Sequence, residues 1–467
     1  MARRREAGAH VEQADLDREE EAEDEERAPL VPRDAQRPEL PRYRGPDEDG
    51  DAAHDEAQAG EPDRRRVDEA DLDRDGVRAP ENGEAEREQP GPQVEGPQRR
   101  QGVYSLGMKI GLIGLPKSGK TTLFNLLTGS RVATSRFDAG KAELHAGIAR
   151  VPDDRVTRLA ELFTPRRTTY ATFEVVDLAG IARGERAGLE TKEFRDADAL
   201  LHVVRGFPDA AGVPADPRRD IEDLETELLL ADLEVIERRL ERLEANITKR
   251  RTETDAREQE ILRGLRQRLE AETPIRGVPL PDEDTKAIRG FTFLSQKPIL
   301  HCLNLDEKDL GKGATLAASF GLQAVAERPR TALGWVSAVI EGEVARIEGA
   351  EQQAFLHELG LSEPAIHRVL RDCFALLGLI SFFTTGDDEV RAWPIPRGTR
   401  AQDAASTIHS DIARGFIRAE VASYADLVAV KGNFAELRAK GQLRLEGKDY
   451  VVQDGEICHF RFNVAKS

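Results

Sequence analysis

Ile110-Gly-Leu-Ile-Gly-Leu-Pro-Lys-Ser-Gly-Lys-Thr-Thr-Leu-Phe-Asn125 sets a glycine-rich loop between an apolar run and an amphipathic one. Gly114, Gly119, Lys120 and Thr121 fit G-x-x-x-x-G-K-[ST], with Lys117, Ser118 and Thr122 in the same loop. In such a loop the glycines let successive backbone N–H groups converge on phosphate oxygens at a helix N-terminus. Lys120 has the reach for the β- and γ-phosphates, and the Thr121 hydroxyl is a ligand for Mg²⁺. Apolar Ile110, Leu112 and Ile113 before the loop, and Phe124, Leu126 and Leu127 after it, separate this pattern from an ordinary glycine turn. The stretch predicts nucleotide binding, with Mg²⁺ as the cofactor.

The 467-residue chain is not uniform along its length. Residues 1–107 hold 31 Asp and Glu against 17 Arg, which accounts for −14 of the net −19. They contain no Lys, Phe, Ile, Trp, Thr or Cys. A segment so poor in apolar side chains cannot bury enough surface to offset chain entropy, so it is expected to be a disordered acidic tail. A second reading stands beside this one. The only methionines are Met1 and Met108, and the tail's Arg, Ala, Gly, Pro, Asp and Glu bias is that of translated GC-rich DNA, so the tail can be a non-native extension of a chain starting at Met108.

Cys302, Cys373 and Cys458 are widely spaced and form no C-x-x-C pair, which argues against a zinc site and a disulfide framework. A reducing, cytoplasmic setting is expected. No apolar run approaches the roughly 18 residues of a membrane span, and no signal-peptide pattern is present, so no membrane partner is expected.

From 108 to 216 short apolar runs alternate with amphipathic stretches, as in a mostly parallel sheet covered by helices. Strands are expected at 109–113, 172–176 and 199–204. The sheet resumes at Pro298-Ile-Leu-His-Cys-Leu-Asn304, with a helix near 338–347. Between these parts, 217–275 reads as an insertion: Ile221, Leu224, Leu228, Ile236, Leu240, Leu243 and Ile247, then Ile261, Leu265 and Leu269, fall at the spacing of a helix seam. An antiparallel helical hairpin is predicted, its tip carrying Lys249, Arg250 and Arg251, either solvated or RNA-facing. Residues 276–378 complete the first domain with connecting helices. From 379 to 467 short alternating runs and one helix near 401–414 predict a small α+β domain. Its basic end, Lys431, Arg438, Lys440, Arg444, Lys448 and Arg461, suits either solvation or a nucleic-acid surface.

Taken together, Gly114-Leu-Pro-Lys-Ser-Gly-Lys-Thr121, Val176-Asp-Leu-Ala-Gly180, Asp198-Ala-Leu-Leu-His-Val-Val-Arg205, Asn304-Leu-Asp-Glu307, Gly415-Phe-Ile-Arg-Ala-Glu-Val421 and Glu446-Gly-Lys-Asp-Tyr-Val-Val451 resemble the Obg-like ATPases, the YchF group of P-loop proteins. The resemblance spans nearly all of 108–464. It implies an α/β fold: a P-loop G domain, the helical-hairpin insertion and a C-terminal TGS-type β-grasp domain. It also implies association with ribosomes, and so with a ribosome or RNA partner. Under it, Asp177 supports Mg²⁺ through water and the Gly180 amide senses the γ-phosphate, so Lys120, Asp177 and Gly180 form the catalytic set and Thr121 and Asp177 the metal set.

One shared feature and two departures accompany the resemblance. Ile181 stands where many translation GTPases carry a water-orienting glutamine, a substitution the family shares, so slow hydrolysis is expected. Lys141, in Gly140-Lys-Ala-Glu-Leu-His145, stands at the family's Mg²⁺-ligating threonine, and an ammonium cannot ligate a cation. The loops after Gly180 and Arg205 lack the family's usual length and histidine. His202 is expected to be structural, as a strand histidine with apolar neighbours, and Cys302 an inert buried thiol.

For the base, Asn304-Leu-Asp-Glu307 stands where translation GTPases carry Asn-Lys-x-Asp. Glu307 is one methylene too long for aspartate's bidentate contact with guanine. Leu305 is expected to pack on the purine, and Asn304 to hold the loop with Ser337 and Ala338 beyond it. ATP is therefore the expected substrate, hydrolysed slowly. The competing readings are a GTPase, with Asp306 shifted into the recognition position, and a nucleotide-gated ribosome-binding module with negligible turnover.

Overall fold

The computed structural model describes residues 107–132, 144–178, 195–247 and 252–463. In chain order the first seven strands are β1 (Lys109–Ile113), β2 (Leu144–Arg150), β3 (Arg167–Thr169), β4 (Thr172–Leu178), β5 (Ala199–Gly206), β6 (Ile299–Leu305) and β7 (Thr331–Val336). All but β3 form one sheet in the order β2-β4-β1-β5-β6-β7. It is parallel except at its β2 edge, where β2 runs antiparallel to β4. Strands β1, β5 and β6 are buried along nearly their whole length, as continuous apolar runs are when helices cover both faces. On one face Leu112, Phe173, Val175, Leu201 and Val203 pack with Leu123, Phe124 and Leu127 of helix α1 (Lys120–Thr128).

Helix α2 (Asp154–Phe163) leads into β3, which leaves its neighbours in sequence to join a second sheet. That sheet contains β8 (Leu379–Thr384), β9 (Glu389–Pro396), β10 (Phe416–Ser423), β11 (Arg444–Glu446) and β12 (Glu456–Phe462), in the order β11-β10-β12-β8-β9-β3. Arg155 of α2 strengthens the join. It holds Asp454 at 2.8 Å while its guanidinium lies 5.0 Å over the Phe383 ring, and Asp454 in turn accepts the Ser381 N–H. The three residues of β3 carry no periodicity that sequence could show, and the partner that makes them a strand lies about 220 residues away.

The insertion is a helical pair, α3 (Pro217–Ile247) and α4 (Glu253–Glu270). Its predicted seam divides by destination. Leu224 and Leu228 pack under the first sheet with Ile113, Leu200 and Ile299, while Ile236, Leu240 and Leu243 meet Ile261, Leu262, Leu265 and Leu269. Ion pairs Arg239–Glu258 and Arg263–Glu244 cross between the two helices. The basic tip Lys249, Arg250 and Arg251 lies outside the described residues.

Helix α5 (Ala338–Val344) follows β7, and α6 (Ala365–Leu376) leads into the second sheet. The single helix expected near 401–414 is two, Ala401–Ile408 and Ser410–Arg414. His409 breaks it, with extended backbone (φ −164°, ψ 140°) and an imidazole that caps the Asp411 N–H. Among the described residues no helix is long and apolar enough to cross a membrane.

Candidate functional site

The loop between β1 and α1 takes its shape from residues that tolerate left-handed backbone. Gly119, the α1 N-cap, has φ 98°, and Gly114 has φ 152°. A Cβ on Gly114 would lie 2.4 Å from the Val203 carbonyl oxygen, and one on Gly119 would lie 2.4 Å from Asn304 Nδ2. Only glycine lets the loop seat on β5 and β6 at once. Lys117 adopts φ 66°, a costly conformation for a side-chain-bearing residue and one that tends to occur at functional loops.

Lys120 folds back over this loop, donating to the Leu115 carbonyl at 3.1 Å. Its burial pulls its pKa down to about 8, against the pull of nearby Asp177. Asp177, at the end of β4, is 2 % exposed and accepts a hydrogen bond from Thr121 Oγ1 at 3.1 Å. Burial pushes its carboxyl pKa up, opposed by Lys120, Thr121 and His145. His145 was not singled out from sequence. It stands directly across from Asp177 in the β2–β4 register, and only the pairing of a strand missed in the sequence brings it there. Asp177 Oδ1, Ser118 Oγ and Ser337 Oγ are buried with no hydrogen-bond partner among the described residues. Buried polar atoms are nearly always paired, so three orphans around one loop mark where a polar ligand belongs.

Asn304 ties three segments together. Its Nδ2 donates to the Ser118 carbonyl at 3.0 Å and its Oδ1 accepts the Ala338 N–H at 3.0 Å, joining loop, β6 and α5. Thr121 and Thr122 are half-buried at the start of α1, and Ser337 stands at the N-cap position of α5 without a side-chain cap hydrogen bond. Glu307 is exposed just beyond the end of β6. Leu305 is placed differently from the sequence expectation. It is 2 % exposed and belongs to the hydrophobic core, its Cδ2 crowding Gly206, so it offers a purine no aliphatic face. Asp306 accepts the Lys308 N–H at 3.4 Å and its other oxygen pairs with Lys308 Nζ at 3.7 Å. Gly180, Ile181 and Lys141 lie outside the described residues.

His202 is buried on β5, with its Nδ1 2.9 Å from Nδ1 of His301 on β6. His301 Nε2 lies 3.4 Å from Glu225 of α3, which pairs with Arg276. Desolvation lowers the pKa of both imidazoles and so disfavours their charged forms, with Glu225 opposing it at both. Cys302 is fully buried among apolar groups, which pushes its thiol up to about 12.

A parallel sheet with a glycine loop feeding a helix N-terminus, an acid at the adjacent strand end and an asparagine bracing the loop define a P-loop protein of the G-domain class. Comparison with known proteins sharpens this. A family profile described as "50S ribosome-binding GTPase" matches residues 109–238, and the YchF-GTPase C-terminal profile, described as a protein of unknown function, matches 379–463. The ribosome-binding ATPase YchF of Bacillus subtilis is 40% identical over 370 residues, covering 77% of this chain and 100% of that protein. The protein of the same name from Escherichia coli O157:H7 is 37% identical over 369 residues, with the same coverage. The solved structure of the Schizosaccharomyces pombe YchF GTPase aligns with a TM-score of 0.63 and 28% identity, covering 78% of this chain and 99% of that one. The chain belongs to the YchF family.

Proposed function

We propose that this protein is a cytoplasmic P-loop nucleotidase that binds and slowly hydrolyses ATP with Mg²⁺, and couples its nucleotide state to ribosome binding. The observation that carries the reading is the cluster of Lys120, Thr121 and Asp177 around buried, unpartnered oxygens, in a chain whose relatives are named ribosome-binding ATPases. Lys120 supplies a cation to the transferred phosphoryl group, and the Gly114–Thr121 amides cradle the phosphates. The Thr121 hydroxyl and the free oxygen of Asp177 are hard oxygen donors of the kind Mg²⁺ takes. Bound there, Mg²⁺ would neutralise charge developing on the phosphate oxygens. Gly180 belongs to the same reading as the amide facing the γ-phosphate.

Base choice rests on Glu307, on the Asn304 brace and on Ser337 and Ala338. Aspartate's two hydrogen bonds to guanine are not reproduced by the longer Glu307, and Asp306 is already engaged by Lys308 on both oxygens. This favours ATP over GTP by one or two orders of magnitude, roughly what an unpaired polar site imposes. The competing GTPase reading draws on the solved Schizosaccharomyces pombe relative, which is named a GTPase. The C-terminal sheet is read as a TGS-type domain and, with the helical hairpin, as the ribosome-facing part.

The test is affinity and turnover for Mg²⁺-ATP and Mg²⁺-GTP with and without ribosomes. ATP bound more tightly and hydrolysed, with turnover or ribosome affinity responding to the other ligand, supports the assignment. GTP bound at least as tightly as ATP overturns the ATPase assignment.

A further inference from the structure

A cavity of about 550 Å³ opens where α3, the chain leaving α4 and the approach to β7 meet. Its size falls within the roughly 300–1,000 Å³ of small-molecule sites. From α3 it takes Glu222, Glu225, Thr226 and Leu229, whose spacing puts them on one face of the helix. A second wall follows from a reversal after α4. There Glu272 adopts φ 56°, and the chain runs on through Thr273 and Pro274 to Arg276. Arg328 and Pro329 supply the third side. None of these residues belongs to the phosphate loop.

The charges around this cavity are not all matched. Glu225 is 5 % exposed, and both of its charged or polar neighbours converge on one oxygen. Arg276 Nη2 donates to Oε1, and His301 Nε2 lies 3.4 Å from the same atom. Oε2 is buried with no hydrogen-bond partner among the described residues. Burial pushes the Glu225 carboxyl up, but His301 and Arg276 outweigh it and bring its pKa down to about 2, so the group is ionised. Arg328 is half-buried and has no ion-pair partner among the described residues. Glu222, by contrast, is matched by Arg218 at 2.9 Å. Thr226 Oγ1 donates to the Glu222 carbonyl at 2.9 Å and Thr273 Oγ1 to the Ala271 carbonyl at 3.3 Å, which leaves each hydroxyl an acceptor.

A buried carboxylate oxygen without a donor is costly, and a charged N–H relieves that cost best. A simple cation would meet Arg276 and Arg328, and a simple anion would meet Glu222, Glu225 and Glu272. The described residues also contain no grouping of His, Cys, Asp and Glu able to hold a metal ion. A molecule carrying both signs suits both unmatched groups. We propose that this cavity binds a small zwitterion, a free α-amino acid, whose ammonium meets the Glu225 carboxylate and whose carboxylate meets the Arg328 guanidinium. Leu229, Pro274 and Pro329 supply apolar lining for its side chain. The site is separate from the nucleotide site and does not depend on the nucleotidase reading.

Calorimetric titration of the full chain with each of the common α-amino acids tests this. At least one is expected to bind with a sub-millimolar Kd. Its decarboxylated amine, which lacks the anion, and its N-acetyl derivative, which lacks the cation, should each bind about tenfold more weakly or worse, the usual effect of losing a charged hydrogen bond. Arg328→Gln should weaken the amino acid by a similar factor and leave the amine unchanged, while Glu225→Gln should weaken the amino acid and leave the N-acetyl derivative unchanged. Thermal melts establish that each variant is folded. If Glu225→Gln does not fold, Arg328→Gln with the two derivatives carries the test. No binding by any amino acid at about 10 mM overturns the proposal. So does an amine that binds as well as its parent amino acid, or a folded Arg328→Gln protein with unchanged affinity.

Discussion

The phosphate loop and the root of the helical hairpin both bury charge at the ends of the same parallel strands, and they treat it in opposite ways. Around the loop, Lys120 has only one carbonyl partner, and Asp177, Ser118 and Ser337 each leave an oxygen unpaired among the described residues. At the hairpin root both oxygens of Asp232 accept backbone N–H groups, and Lys297 serves two carbonyls. Single unpaired buried atoms also occur at Glu225, Gln259, Arg266, His301 and Arg391, but at the loop they gather around a lysine and an aspartate, whereas Asp232 is fully satisfied. The first cluster is costly until something binds, and the second is costly only when broken.

The sharpest way to break this contrast is to remove charge at each end. Lys120→Ala and Asp177→Ala are each expected to lower ATP turnover by about 100-fold or more, the usual effect of losing a group aimed at developing charge. Neither should lower the melting temperature of the nucleotide-free protein, because burial already disfavours the charged form of both groups. Steady-state kinetics with parallel thermal melts check this; a marked loss of stability would make the loop a structural element. Asp232→Ala should do the reverse, stranding two buried N–H groups and costing about 2–4 kcal/mol. Denaturant titration measures that cost, and a near-neutral result would show the carboxylate to be dispensable at the root.

A second prediction separates base recognition from packing. Leu305→Ala should cost about 2–4 kcal/mol, as for a buried leucine, and leave the ratio of ATP to GTP affinity unchanged. Glu307→Asp should narrow that ratio with little change in stability. If Leu305→Ala shifts the ratio instead, the side chain does reach the base.

His202 belongs with the architecture. His202→Ala is expected to lower stability and leave turnover of the folded protein nearly intact. Because burial depresses the pKa of both His202 and His301, the unfolded chain binds more protons below about pH 6.5, and their contribution to stability is lost as pH falls through that region. Urea midpoints at pH 7.5 and 5.5 should therefore differ less when both histidines are replaced by phenylalanine.

The smallest effect is a proton count. Burial holds empty Lys120 near pKa 8, and a bound triphosphate favours its ammonium form. Binding near pH 8 should then take up a fraction of a proton, and affinity should weaken as pH rises further. Calorimetric titration in two buffers of different ionisation enthalpy reads the uptake, and Lys120→Ala should abolish it.

Where a decision rests on neighbours in the chain, the sequence alone was enough. Gly114 to Thr121 is one contiguous loop, β1, β4, β5 and β6 are short runs rich in apolar residues, and the hairpin seam repeats every three or four residues, so backbone and burial requirements are written locally. Tertiary structure decided the rest. β3 is a strand only because β9 pairs with it, and His145 faces Asp177 only because β2 runs antiparallel to β4. Asn304 braces a carbonyl 186 residues earlier, and Lys297 holds carbonyls about 100 residues before it. Leu305 carries no local sign of whether it faces a ligand or the core, since alternation along a strand names two faces and only packing says what covers each. The side chains that bind can be read from a motif, but those that join one part of the protein to another depend on contacts the chain makes only after it has folded.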